Sequence, residues 1–236
     1  MEALLFDCDG VLVDTERDGH RVAFNMAFSQ KGINASWSID EYKELVKVAG
    51  GKERMKHYFD IKGWPLGDYD RNEFIKELHL LKTSLFMELI ESGKLPLRPG
   101  VARLVDEAIA ASIKLAVCST SNVNAVTKIV EVLLGEDRKK HFSGIFAGDM
   151  VSKKKPDPAV YNLCTEKLGL NPAFGCVVED SRNGLLAAKA AGYKCIITTN
   201  DYTLDEDFSE ADAIYSELGD DPVQVKILDL ISIINQ

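Results

Sequence analysis

Short apolar runs at residues 3–6, 115–118, 145–147, 176–178 and 195–198, with a weaker one at 213–215, restrict the fold more than any other feature of this chain. They are continuous rather than alternating, so they read as strands covered on both faces, the pattern of a parallel sheet. Most are followed by helix signals. Asn122 precedes a run with Val123, Val126, Ile129, Val130 and Leu133 on one face. Pro156-Asp157-Pro158 opens a second helix that closes at Gly169, and Ser181 starts a third that stops at Gly192. Strand and helix in alternation predict an α/β core with helices on both faces of the sheet.

The first strand breaks this rhythm. From Val13 to about Gly93 the chain reads as helical, with helix-start patterns at Ser38 to Glu41 and Asp70 to Glu73. Two runs, residues 15–31 and 71–91, are amphipathic, and residues 94–100 read as a linker back to the sheet. The expected organisation is an α/β core of residues 1–13 and 97–236, with a small all-helical cap domain, residues 14–96, inserted after the first strand.

At 236 residues and 46% hydrophobic, the chain can bury one substantial core and a second small domain. A net charge of −9 argues against nucleic acid or an anionic membrane as partner, while a local cluster of cations still allows an anionic small substrate. No apolar run is long enough to span a bilayer. The first residues read as a core strand, not as a signal or transit peptide. Cys8, Cys118, Cys164, Cys176 and Cys195 lack C-x-x-C spacing and fit small buried residues of a reduced compartment. A monomer is expected.

In an open parallel sheet, ligands bind beyond the carboxyl ends of the strands. The first strand ends in Asp7-Cys8-Asp9-Gly10, whose aspartates share one side because residues i and i+2 of a strand do. Carboxylates this close repel unless a cation or proton lies between them. The second strand ends in Ser119-Thr120-Ser121-Asn122, the fourth in Glu179-Asp180, and Lys153-Lys154-Lys155-Pro156 lies past the third. This set suits phosphoryl transfer. Asp7 can act as nucleophile, and Asp9 can protonate the leaving oxygen and then deprotonate water. Asp7, Asp180 and an oxygen of Asp9, with Glu179 adjacent, supply hard ligands for Mg²⁺. Ser119 can donate to the phosphate, and Lys155 can offset the shared negative charge. Asp7, on the metal and near Lys155, is expected to stay ionised, while Asp9, contacting the metal less directly, can take and release a proton.

These four strand ends resemble the haloacid dehalogenase superfamily of phosphatases and phosphomutases. Its motifs are matched in order by Asp7-x-Asp9-Gly10, by Ser119, by Lys155-Pro156 and by Glu179-Asp180-Ser181-x-x-Gly184. The resemblance implies a Rossmann-like core with a small helical cap, Mg²⁺ dependence, and Lys155 as the working lysine ahead of Lys153 and Lys154. Asp14-Thr15-Glu16, Gly50-Gly51-Lys52-Glu53-Arg54, Ser119 to Asn122 and Lys154 to Pro158 are more narrowly similar to CbbY-type sugar-phosphate phosphatases of photosynthetic organisms. That similarity implies hydrolysis of xylulose-1,5-bisphosphate to xylulose 5-phosphate, in a plastid stroma or a bacterial cytoplasm. It carries over a substrate role to Glu16, His20 and Arg21, and to Thr120, Ser121 and Asn122 beside the sugar.

In the cap, Gly50-Gly51 opens a helix carrying Lys52 and Arg54, so free backbone N–H groups and two cations would meet at its positive end. Alone, the residues leave open whether these are solvent-facing charges; with the resemblance, they are read as the site of a second phosphate. Lys82 resembles a cap lysine of the mutase relatives. A β-phosphoglucomutase-like phosphomutase is the alternative enzyme, and a non-catalytic sugar-phosphate-binding regulator the remoter one.

Overall fold

The computed structural model describes residues 1–48 and 50–235, the side chain of residue 149 excepted. The chain divides into two compact units, Met1–Asp14 with Pro96–Gln236, and Thr15–Leu95. In chain order the regular elements begin with β1 (Ala3–Phe6), a π-helical turn (Thr15–His20), α1 (Arg21–Gln30), α2 (Ile39–Leu45), α3 (Gly51–Lys62) and α4 (Arg71–Glu91). There follow α5 (Val101–Ala110), β2 (Lys114–Cys118), α6 (Val123–Ile129), α7 (Glu136–Lys139), β3 (Phe142–Phe146) and α8 (Ala159–Leu168). The chain closes with β4 (Gly175–Glu179), α9 (Arg182–Ala190), β5 (Lys194–Thr198), β6 (Ala213–Tyr215) and α10 (Ile227–Ile234).

The sheet unit is a six-stranded parallel sheet in the order β3-β2-β1-β4-β5-β6. Its central strands are buried on both faces, as their continuous apolar runs require. Leu5 lies in register with Ala116 on one side and Val177 on the other, so β1, β2 and β4 end at one level. The ladder runs one residue further, since Asp7 N–H donates to Val178 O at 3.0 Å and Ser119 N–H to Phe146 O at 2.9 Å. The third strand starts earlier than the expected 145–147, because the half-exposed edge residues Phe142 to Gly144 pair without forming an apolar run.

Helix ends follow local chemistry. Asn122, Asp157 and Ser181 accept from the N–H groups of Asn124 (2.9 Å), Ala159 (3.0 Å) and Gly184 (3.2 Å). Gly169 stops α8 in the left-handed conformation at φ 60°.

In the helical unit, Ser38 accepts from Glu41 N–H at 3.1 Å, and Asp70 from Asn72 and Glu73 N–H, both at 2.9 Å. Its core is aromatic, with Trp37 packed 4.7 Å from Phe24 and 4.9 Å from Phe28 between ring centroids. Asn25 holds the Trp37 backbone at both ends, accepting from its N–H at 2.7 Å and donating to its carbonyl at 3.0 Å. Residues 15–31, read as one amphipathic helix, divide into the π-helical turn and α1. Gly19 lies in that turn, and a Cβ there would stand 2.7 Å from the Phe86 ring. Among the described residues, no helix is long and apolar enough to cross a membrane.

Candidate active site

The turn after β1 is set by Gly10, at φ +80°. A Cβ at this position would overlap the Asp180 carboxylate and stand 2.9 Å from Asn200 Nδ2. The position therefore demands glycine twice, for its backbone angle and for the space above it. Asp7 is buried at the strand end. Asp9 Oδ2 accepts from Ser121 Oγ at 2.5 Å and from Ser119 Oγ at 3.4 Å, so the loop after β2 holds the second aspartate apart from the first. Ser119 Oγ also accepts from Ser121 N–H at 3.0 Å. Thr120 and Asn122 are exposed beside them.

Of the three consecutive lysines, Lys155 enters this cluster. Its ammonium donates to Asp7 Oδ1 (2.5 Å), Glu179 Oε1 (2.5 Å) and Cys118 O (2.8 Å), and so ties together the ends of β1, β2 and β4. Lys154 donates to Gly148 O, and Lys153 reaches Asp157 at 3.5 Å. Glu179, fully buried, also accepts from Tyr161 OH at 2.6 Å and from Asp180 N–H at 3.2 Å. A Cβ on residue 184 would overlap the Glu179 carboxylate, which explains Gly184 at that motif position. Asn200, past β5, donates to Asp180 Oδ2 at 2.7 Å. Tyr161 and Asn200 were not found by the sequence reading. Asn200 could have been, since it follows a strand end, whereas nothing local marks Tyr161 within α8.

One carboxylate oxygen from each of Asp7, Glu179 and Asp180 lies within 4.8 Å of the others. Three buried carboxylates thus share one ammonium. Burial pushes the Asp7 carboxyl up to about 8; Lys155 opposes the rise, and Glu179 and Asp9 add to it. Burial, then Glu179 and Asp7, hold the Asp180 carboxyl well above the usual carboxylate range. Burial works against the Lys155 ammonium, but the Asp7 and Glu179 carboxylates outweigh it and raise its pKa. Burial thus works against ionisation of Asp7 and Lys155 works for it. A metal ion on Asp7, as the sequence-based expectation has it, would act in the same direction as Lys155. The donor set, all carboxylate oxygen and deficient in positive charge, fits a hard divalent ion such as Mg²⁺. Glu179 has its oxygens committed to three hydrogen bonds, which fits a counter-charge for Lys155 better than a direct ligand. The Asp9 carboxylate lies outside the three-carboxylate group.

The helical unit holds a second polar cluster. Tyr42 OH donates to Glu16 Oε2 at 2.6 Å and accepts from Arg54 Nη1 at 2.5 Å, with Arg54 and Glu16 3.6 Å apart. Arg54 also donates to Val48 O and Val46 O, each at 3.4 Å. Lys82 Nζ lies 3.0 Å from His20 Nδ1 and 4.7 Å above the Phe24 ring. Burial brings the Lys82 ammonium down to about 8; Glu16 opposes this and Arg54 adds to it. Arg21 is committed to main-chain carbonyls, those of Arg17 (3.1 Å) and Trp37 (3.2 Å).

Gly50, at φ +91°, does start α3. The pairing of Lys52 with Arg54 at its end does not form, because residues two apart on a helix point about 200° away from each other. Lys52 is exposed, and Arg54 is buried against Tyr42. Tyr42, which bridges Glu16 and Arg54, was missed by the sequence reading because its partners lie 26 and 12 residues away.

The haloacid dehalogenase-like hydrolase model matches residues 1–192. The chain belongs to the haloacid dehalogenase-like hydrolase family, and it is an enzyme of that class. Within the family its relatives include CbbY proteins. It is 58% identical over 224 residues to a CBBY-like protein of Arabidopsis thaliana, covering 93% of this chain and 70% of the relative. It is 39% identical over 227 residues to protein CbbY of Cereibacter sphaeroides, covering 93% and 94% of the two chains. The crystal structure of CbbY from Rhodobacter sphaeroides in complex with phosphate superposes with a TM-score of 0.75 at 38% identity, over 93% of this chain and 96% of that one. A mutant of that protein in complex with xylulose-(1,5)bisphosphate superposes with a TM-score of 0.74, at the same identity and coverage.

Proposed function

We propose that this enzyme is a Mg²⁺-dependent sugar-phosphate phosphatase that works through an aspartyl-phosphate on Asp7, with xylulose-1,5-bisphosphate as substrate. The observation that carries the reading is Asp7 itself, buried at a strand end, held through Oδ1 by Lys155, and grouped with Asp180 and Glu179 in a charge-deficient cluster. The substrate rests on the likeness to CbbY, whose mutant binds xylulose-(1,5)bisphosphate.

In this mechanism an oxygen of Asp7 attacks phosphorus as the bond from phosphorus to the sugar oxygen breaks, and Asp9 gives its proton to that oxygen. Asp9 then takes a proton from water, which attacks the same phosphorus, frees inorganic phosphate and regenerates the Asp7 carboxylate. Ser121 and Ser119 fix Asp9 for both transfers. Lys155 orients Asp7 and offsets negative charge near the phosphoryl group. Mg²⁺ held by Asp7 and Asp180, with Glu179 behind, would supply Lewis-acid stabilisation of the charge that develops on the phosphoryl oxygens. The residues assigned a substrate role from the sequence are Thr120, Ser121 and Asn122 in the sheet unit. Separately, in the helical unit, they are Glu16, His20, Arg21, Lys82, Arg54 and the Gly50-Gly51-Lys52 helix start. Arg21 would have to leave its main-chain partners to take part.

The test is phosphate release with Mg²⁺ from a panel of xylulose-1,5-bisphosphate, ribulose-1,5-bisphosphate, fructose-1,6-bisphosphate and β-glucose 1-phosphate. Selective hydrolysis of the xylulose compound is expected. Conversion of β-glucose 1-phosphate to glucose 6-phosphate with little release would replace this reading by a phosphomutase.

A further inference from the structure

Arg98 follows the residues that return the chain to the sheet unit, in a stretch whose sequence reads only as a linker. Its side chain acts as a clamp. Nη1 donates to the carbonyls of Gly10 and Thr198 (the latter at 3.1 Å) and to Thr198 Oγ1 at 3.3 Å. Nη2 donates to Thr199 O at 2.6 Å and Ser216 O at 3.0 Å. The Arg98 N–H donates to Leu12 O at 2.9 Å, in the turn that follows Gly10.

The carbonyls held in this way adjoin the catalytic groups. Gly10 follows Asp9, and Thr199 precedes Asn200, which donates to Asp180 at 2.7 Å. In the sheet, β1 and β5 are not neighbours, because β4 lies between them and ends just before Asp180. Arg98 therefore spans β4 and sets the distance between the loop carrying Asp9 and the loop steering Asp180. A planar guanidinium with fixed donors can hold three strand ends at once; a lysine ammonium on a flexible stem cannot reproduce that fork.

We propose that Arg98 is a positioning residue for the active site: it locks the Asp9–Gly10 turn to the Asn200 loop and so sets the placement of the acid/base Asp9 against Asp180. This rests on the phosphatase reading for its effect on turnover.

The experiment compares Arg98→Lys and Arg98→Met with Arg103→Met in two measurements. Arg103 is a second arginine clamp, on the carbonyls of Leu218, Gly219 and Val225, at a different place in the sheet unit. The first measurement is steady-state hydrolysis of an aryl phosphate, and the second is the rise in melting temperature that Mg²⁺ produces. Arg98→Met is expected to lose about 100-fold in kcat and Arg98→Lys at least about tenfold, with KM within about threefold, since small displacements of reacting groups cost this much. Both should show a weakened Mg²⁺-induced shift. Arg103→Met should melt earlier yet keep kcat and the Mg²⁺ shift of the wild type. Should Arg98→Met fail to fold, Arg98→Lys, which keeps the charge, decides. An Arg98→Lys variant with kcat within about threefold of wild type and an unchanged Mg²⁺ shift overturns the proposal. So does an Arg103→Met variant that loses kcat equally, since the effect would then follow stability. A wild type that releases no phosphate sinks the phosphatase reading alone, and the Mg²⁺ shift still decides Arg98.

Discussion

Lys82 offers a prediction whose size can be worked from the structure. The residue is 7% exposed, and its ammonium lies against Phe24 and Phe86. Burial, partly offset by Glu16 and reinforced by Arg54, lowers its pKa from 10.5 to about 8. At neutral pH the folded protein therefore bears the cost of a buried charge, roughly 3 kcal/mol for such a shift. Below pH 8 both folded and unfolded states hold the proton and the cost is complete. Between about pH 8 and 10.5 the unfolded chain keeps the proton that the folded one has released, so wild-type stability rises with pH. Lys82→Met lacks this titration. Its stability advantage over wild type should shrink by about 2 kcal/mol between pH 7 and pH 9.5, other groups cancelling in the difference. The chain's two tryptophans, Trp37 and Trp64, both lie in the unit that holds Lys82, so urea unfolding followed by tryptophan fluorescence reads this unit directly. A difference that stays constant within about 0.5 kcal/mol across that range would show that Lys82 titrates normally and would refute the argument.

Lys155→Met removes the ammonium shared by Asp7 and Glu179 and leaves buried carboxylates uncompensated, so stability should fall by about 3–5 kcal/mol in denaturant titration. Phosphate release should fall by at least about 100-fold, the loss expected when a preorganised electrostatic group is removed. Gly10→Ala must adopt a left-handed backbone and displace the Asp180 carboxylate. It should lose on the order of 1–3 kcal/mol in thermal unfolding and need more Mg²⁺ for half-maximal activity.

The inner strands were legible because they are buried on both faces and carry uninterrupted apolar runs, and β1 and the edge strand β6 keep the bounds the sequence indicates. β3 was read short because an edge strand with Ser143 and Gly144 has no apolar run to display. Asp7, Lys155, Glu179 and Asp180 converge as expected because parallel topology delivers strand ends to one rim. What could not be read were side chains whose partners lie far along the chain. Tyr161 on Glu179 and Arg98 on Gly10 each serve a group far along the chain and no local pattern marks them, whereas Asn200 on Asp180 is signalled only by its place after a strand end. Burial, the largest influence on the Asp7 carboxyl, likewise comes only with the fold.

The most direct test of the central claim is to quench the enzyme in acid during a single turnover with xylulose-1,5-bisphosphate and Mg²⁺, and then map phosphate by peptide mass spectrometry. The account requires a transient phosphoryl group on Asp7 that disappears as inorganic phosphate forms, and its absence in Asp7→Asn. Turnover with no phosphorylated Asp7 at any time, or with undiminished rate in Asp7→Asn, would contradict it.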